Sequence, residues 1–183
     1  APDPVRIGTI GAAVLGADGT VWYASAGGSD NAVLYRDGKS GDHRAIAQRG
    51  SAANEFSGPL LLAALADGGL VAIDTATGRG VRYDSLGTVA DTLAMPWLVG
   101  ATVVTADRSG GWFAQAGEGT HWLHHAANGA LTDTVRAVDG VQGVLAIARD
   151  GSLLRATAGT RQLERRAFDG PTLTARWKGA ALV

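Results

Sequence analysis

Short apolar runs separated by glycine-bearing turns recur from one end of the chain to the other. The first run of each group is almost wholly small or aliphatic: Ala-Ala-Val-Leu-Gly at 12–16, Leu-Leu-Leu-Ala-Ala-Leu-Ala at 60–66, Ala-Thr-Val-Val-Thr-Ala at 101–106 and Val-Leu-Ala-Ile-Ala at 144–148. Continuous apolar character marks a strand covered on both faces. The third run of a group alternates instead. Val81 and Tyr83 flank Arg82, and Leu163 lies between Gln162 and Glu164, as expected of a half-exposed outer strand. Sixteen strands are predicted in four groups: 12–16, 20–25, 32–36 and 44–48; 60–66, 70–74, 80–83 and 89–94; 101–106, 112–115, 121–125 and 131–137; 144–148, 153–156, 162–168 and 173–177. No stretch carries helical periodicity with caps, so the chain reads as all-β.

The turns set the architecture. Gly19 and Gly38, Gly68 and Gly87, Gly110 and Gly129, and Gly151 and Gly170 form four pairs, each 19 residues apart, and the pair recurs after 49, 42 and 41 residues. Asp-Gly and Asn-Gly dipeptides supply the positive φ angles of tight hairpins. A period of about 40–50 residues built of short strands and such turns indicates a β-propeller. The expected fold is one domain over 1–183, with four four-stranded antiparallel blades at about 9–48, 58–95, 99–138 and 142–179. They form either a closed four-bladed ring, the favoured reading, or an arc of a larger propeller.

The second unit, 69–87, resembles an NHL-type or related six-bladed propeller repeat. Asp74, Thr75, Arg79, Val81, Tyr83, Asp84 and Gly87 match that pattern, and the Gly-rich stretch 50–59, with Glu55-Phe56 and Gly58-Pro59, is similar to the connector joining blades in the same group. The other units share only turn spacing and strand character. Such propellers usually close with six blades, and four are visible here. The resemblance implies a second possibility, a metal-assisted lyase or hydrolase, because enzymes of that group hold a divalent ion with acidic residues or histidines on inner strands. The inner strands here offer only Asp107, Arg108, Arg149 and Asp150, at their turn ends.

Composition narrows the picture. At 183 residues the chain suits one domain with a real core. The longest apolar stretch, 59–66, is far short of the ~20 residues of a membrane-spanning helix, so no membrane insertion is expected. The net charge of −1 is uneven: from Arg149 onward seven basic residues face three acidic ones, and the remainder holds nine basic and fourteen acidic. No basic patch is dense enough to suggest nucleic acid. With no cysteine, thiol catalysis, disulfides and Cys-ligated zinc are excluded. The opening Ala-Pro-Asp-Pro resembles a mature end after signal removal, so export to the periplasm or exterior is expected.

The candidate chemistry is sparse. Propeller ligands sit on loops joining strand two to strand three and on connectors between blades. Those loops hold Asp30, Asn31, Arg49, Asn54, Glu55, Trp97, Glu118, Asp139 and Gln142, the candidate partner-binding residues. No catalytic set and no metal set is assigned. Calcium held by loop carboxylates is the one cofactor considered. In the 120–125 segment, His121 and His125 lie ~13 Å apart on a strand, too far to share an ion, so these histidines are expected at the surface. Trp22, Trp112 and Trp122 are expected between blades; Trp97 and Trp177 are expected to be exposed, where tryptophan favours protein or sugar contact. The reading is therefore a non-catalytic, exported binding or scaffold module whose partner is a protein, a glycan or its own copies. A structural piece of a larger assembly is the remaining alternative.

Overall fold

The computed structural model describes residues 9–27, 32–107, 110–115, 121–126 and 128–136, and the backbone of 144–147, 153–157, 162–169 and 172–178. Four strands form the first sheet: β1 (Thr9–Leu15), β2 (Val21–Gly27), β3 (Ala32–Asp37) and β4 (His43–Gln48). The second contains β5 (Leu60–Ala64), β6 (Leu70–Asp74), β7 (Arg79–Tyr83) and β8 (Val89–Ala94). A short 3-10 turn at Pro96–Leu98 precedes β9 (Val104–Ala106), β10 (Trp112–Gln115), β11 (His121–His125) and β12 (Leu131–Arg136). The last group is β13 (Val144–Ile147), β14 (Leu153–Thr157), β15 (Gln162–Asp169) and β16 (Thr172–Lys178). Within each group neighbouring strands pair antiparallel in sequence order. A single parallel pair, Arg136 with Thr172, joins the last two groups into one eight-stranded sheet.

The blades stack through their faces. Trp22, Ala24, Leu34 and Ala47 of the first sheet pack against Leu60, Leu62, Leu70, Ala72, Val81 and Tyr83 of the second. Ala63, Val71, Ile73 and Leu93 of the second pack with Trp112, Ala114 and Leu123 of the third. The pleat of β6 feeds both cores: Leu70 and Ala72 turn one way, Val71 and Ile73 the other. All five residues of β6 are buried.

Two expectations need correction. The continuous apolar run of β1 is not covered on both faces: Ala12 and Val14 pack on the core shared with the second blade, but Leu15 is 69% and Ile10 52% exposed. Alternation along the strand sends Leu15 to the face opposite Ala12 and Val14. The 19-residue glycine spacing also misplaces one turn. Gly68 and Gly87 (φ 84° and 86°) and Gly110 and Gly129 (91° and 81°) adopt the positive φ expected. In the first blade the positive-φ partner of Gly19 is Gly41 (φ 78°), whereas Gly38 only opens the turn, with Gly41 N–H bonded to its carbonyl. The cause is a longer β2–β3 link: Val21 pairs with Asp37, where in the second blade Leu70 pairs with Tyr83. No helix among the described residues is long and apolar enough to cross a membrane, which says nothing about a β-barrel.

Candidate binding surface

The connector 49–59 is built around one buried carboxylate. Asp74, at the end of β6, is fully inaccessible. Its Oδ2 accepts from Ser57 N–H (2.8 Å), Ser57 Oγ (3.0 Å) and Gly58 N–H (3.3 Å), and its Oδ1 from Ala76 and Thr77 N–H. Burial pushes this carboxyl up, but the hydrogen bonds outweigh it and hold the group below the usual aspartate range. Thr75 N–H then bonds the Pro59 carbonyl at 3.1 Å. Thus the Gly-Pro connector and the Asp-Thr strand end, noted separately in the sequence, grip each other. Arg79 completes the clasp by donating to the Ser51 and Glu55 carbonyls.

Among the candidate rim residues, Glu55 turns its carboxylate back onto Ala52 N–H (3.0 Å) and shapes its own loop. Asn54 is exposed and borders a cleft of about 270 Å³ along Ala45–Gln48. Arg49 is exposed and reaches the Ser57 carbonyl at 3.4 Å. Trp97 is 46% exposed, as expected. The structure brings Arg49, Asn54 and Glu55 together on one connector and leaves Trp97 on the next. Asp30, Asn31, Glu118, Asp139 and Gln142 lie outside the described residues.

Of the histidines expected at the surface, His125 is buried and His124 half-buried, while the side chain of His121 lies outside the described residues. His125 is fully buried, its ring parallel to Trp112 at 4.0 Å and to Trp97 at 6.4 Å between centroids. His124 stacks on Phe113 at 4.1 Å and bonds Asp107, whose other oxygen accepts Gly111 N–H at 3.0 Å. His43 stacks on Tyr35 and has Nδ1 within 2.6 Å of Asp37 and 3.0 Å of Tyr23 Oη. Burial and the Asp37 charge push the Tyr23 hydroxyl up to about 12. Strand periodicity assigns a face to a histidine but not what packs over it.

One recurring position escaped the sequence reading. Opposite the second residue of each second strand stands a cation or imidazole: Arg36 across from Trp22, Arg82 from Val71, His124 from Phe113. Each is tied to a turn carboxylate: Arg36 to Asp42 (3.0 Å), Arg82 to Asp67 (2.7 Å), His124 to Asp107. Arg36 also donates to the Ser85 carbonyl of the second blade (2.9 Å) and lies 5.7 Å above the Trp22 ring. The turn carboxylates serve their own backbones as well: Asp67 accepts Gly69 N–H, and Asp18 accepts Thr20 N–H and Oγ1, which holds Asp18 below the usual range. Among the described residues no group of three or more acidic or histidine side chains is arranged to hold a metal ion.

A second cleft, of about 330 Å³, opens where the inner strands meet. It is lined by Val14 and Leu15 of β1, Leu62–Ala64 of β5 and Val104–Ala106 of β9. It carries no titratable side chain.

No protein-family model and no curated protein matches the chain. Solved structures do. Virginiamycin B lyase from Staphylococcus aureus superposes with a TM-score of 0.69 at 12% identity, over 94% of this chain and 56% of that one. YCF48 bound to D1 peptide gives 0.60 at 15%, over 96% and 56%. Hsv2 from Kluyvelomyces marxianus gives 0.62 at 12%, over 91% and 55%. The chain therefore spans little more than half the length of the solved proteins it matches. Those neighbours are β-propellers, and the stacked antiparallel blades described here share their fold.

Proposed function

We propose that this chain is a non-catalytic propeller module of NHL-like type that binds a protein, a glycan or further copies of itself through an uncovered blade face and the rim connectors. The observation that carries the reading is the first blade's outward face. Leu15 and Val21, paired across β1 and β2, are 69% and 37% exposed, whereas the second blade's Leu70, the counterpart of Val21, is fully buried against the first blade. Apolar surface on a blade face is the kind of surface this architecture uses to seat a neighbour. An arc completed by a partner or by further blades fits both that face and the share of longer propellers the chain spans. The peptide in the YCF48 complex is consistent with protein binding on this fold.

Light scattering on the purified chain, with pull-down and glycan screens, tests the reading. The expected result is a mass above 18.6 kDa or a captured ligand, lost when Leu15 and Val21 are both changed to Glu. A strict monomer that captures nothing removes it. A metal-assisted lyase or hydrolase is the second reading, favoured by the Asp107–His124 pair, in which a carboxylate orients an imidazole able to move protons. Metal analysis and thermal shift with calcium decide it: no uptake and no stabilisation leave it without a mechanism.

A further inference from the structure

His125 closes β11 with its imidazole committed to one tautomer. Its Nδ1 lies 2.9 Å from the Gly129 carbonyl oxygen, which can only accept, so Nδ1 carries the hydrogen and donates. Nε2 is buried with no hydrogen-bond partner. The ring is stacked parallel to Trp112 of its own blade and to Trp97 of the connector from the second blade. Met95 and Leu98 of the same connector are buried in the core shared with Trp112. The stack is thus the aromatic part of the joint between that connector and the third blade.

We propose that His125 is an acid-released latch: a proton taken up at Nε2 drives the ring out of its stack and frees the Trp97-bearing connector from the third blade. Trp97 is one of the rim residues assigned to partner binding, so opening the latch changes the surface a partner meets. The latch itself stands whether or not that binding role holds.

The physical reason is the absence of any place for the charge. Protonated Nε2 would sit in a site closed to water with no acceptor, and burying an unpaired ion costs more than the indole faces return by attracting an imidazolium. Burial holds this imidazole below the usual histidine range; the Gly129 bond opposes that, and the neighbouring His124 adds to it. The groups around it are few. β10 presents Trp112 and Phe113, and the connector presents Met95, Trp97 and Leu98, none of which titrates as an acid or base near neutrality. β12 sets Leu131 opposite His125 and Asp133 opposite His124. Among the described side chains the ionisable neighbours are His124 and its partner Asp107. Because the folded-state value is depressed, the contribution is complete above the unfolded value of about 6.5 and is lost as pH falls through it. The latch is shut at neutral pH and opens on acidification, by at most about tenfold per pH unit for one proton.

Acrylamide quenching of tryptophan emission between pH 7.5 and 5 tests this, on the wild type and on His125→Phe, His124→Gln and Trp97→Phe. Quenching should rise below pH ~6.5 in the wild type and in His124→Gln. It should stay flat in His125→Phe, whose ring stacks without titrating, and rise less in Trp97→Phe, where Trp112 alone is left to report the opened stack. An unchanged rise in either of the last two, its loss in His124→Gln, or no rise in the wild type overturns the proposal. Should His125→Phe fail to fold, NMR titration of the wild-type His125 ring decides: a midpoint below the usual histidine range supports the latch, and one at or above it overturns it.

Discussion

Strands β2 and β6 occupy the same place in adjacent blades and meet water differently. Every residue of β6 is inaccessible, because a core lies on each side: Leu70 and Ala72 face the first blade, Val71 and Ile73 the third. In β2, Trp22 and Ala24 enter the shared core while Val21 remains 37% exposed. Tyr23, at the position of Ala72, packs on Tyr35 and His43 in a stacked cluster with Asp37 at its edge. The difference teaches that a repeat unit specifies a blade but not the fate of its faces. Aliphatic residues at β6 suit a neighbouring blade; tyrosines with hydrogen-bonding tips suit a face that must also satisfy polar groups.

The largest test of that contrast is Asp74→Ala. It orphans five donors in the clasp beneath the second blade and is expected to cost about 4 kcal/mol, read as a fall in the urea midpoint at unchanged slope. Next is a matched pair: Ile73→Ala should cost about 3 kcal/mol, and Leu15→Ala within about 0.5 kcal/mol. Equal losses would break the comparison, since they would mean Leu15 is as covered as Ile73. A pH series sharpens it. The Asp74 carboxyl is depressed in the folded state, so its contribution is present above the unfolded value of about 3.9 and disappears as pH falls below it. Urea midpoints between pH 6 and 3 should drop more steeply in the wild type than in Asp74→Asn. A small effect on stability, under about 1 kcal/mol, is also expected from Leu15→Glu with Val21→Glu. A loss of several kcal/mol there would show that the first blade's outward face is a core in solution.

Strand positions were legible because pleat period and turn chemistry are local. β6 and β8 begin and end where the apolar pattern places them, and β10 and β11 do the same. β9 starts three residues later than its apolar run, since Ala101 N–H is taken by the Leu98 carbonyl at the end of the short 3-10 turn. Glycine spacing failed in the first blade because a longer β2–β3 link shifts the turn to Gly41 while leaving Gly38 at a coincidental distance. At the candidate surface, Trp97 was readable as exposed from its place after Met95-Pro96. Glu55 was read as a rim residue although its carboxylate bonds Ala52 N–H only three residues away, and Asp74 was not readable as the centre of the clasp because Ser57 and Gly58 lie 17 and 16 residues upstream.

From the chain alone came the all-β character, the order of strands and most of the hairpins: pleat, propensity and positive-φ glycine act over a few residues and hardly depend on what lies beyond. Only the tertiary arrangement decided which faces are dry, that His125 is stacked and single-tautomer, and that Asp74 joins connector to strand. Burial and desolvation are set by blades forty residues apart in sequence, and no pattern within one blade records what will be pressed against it.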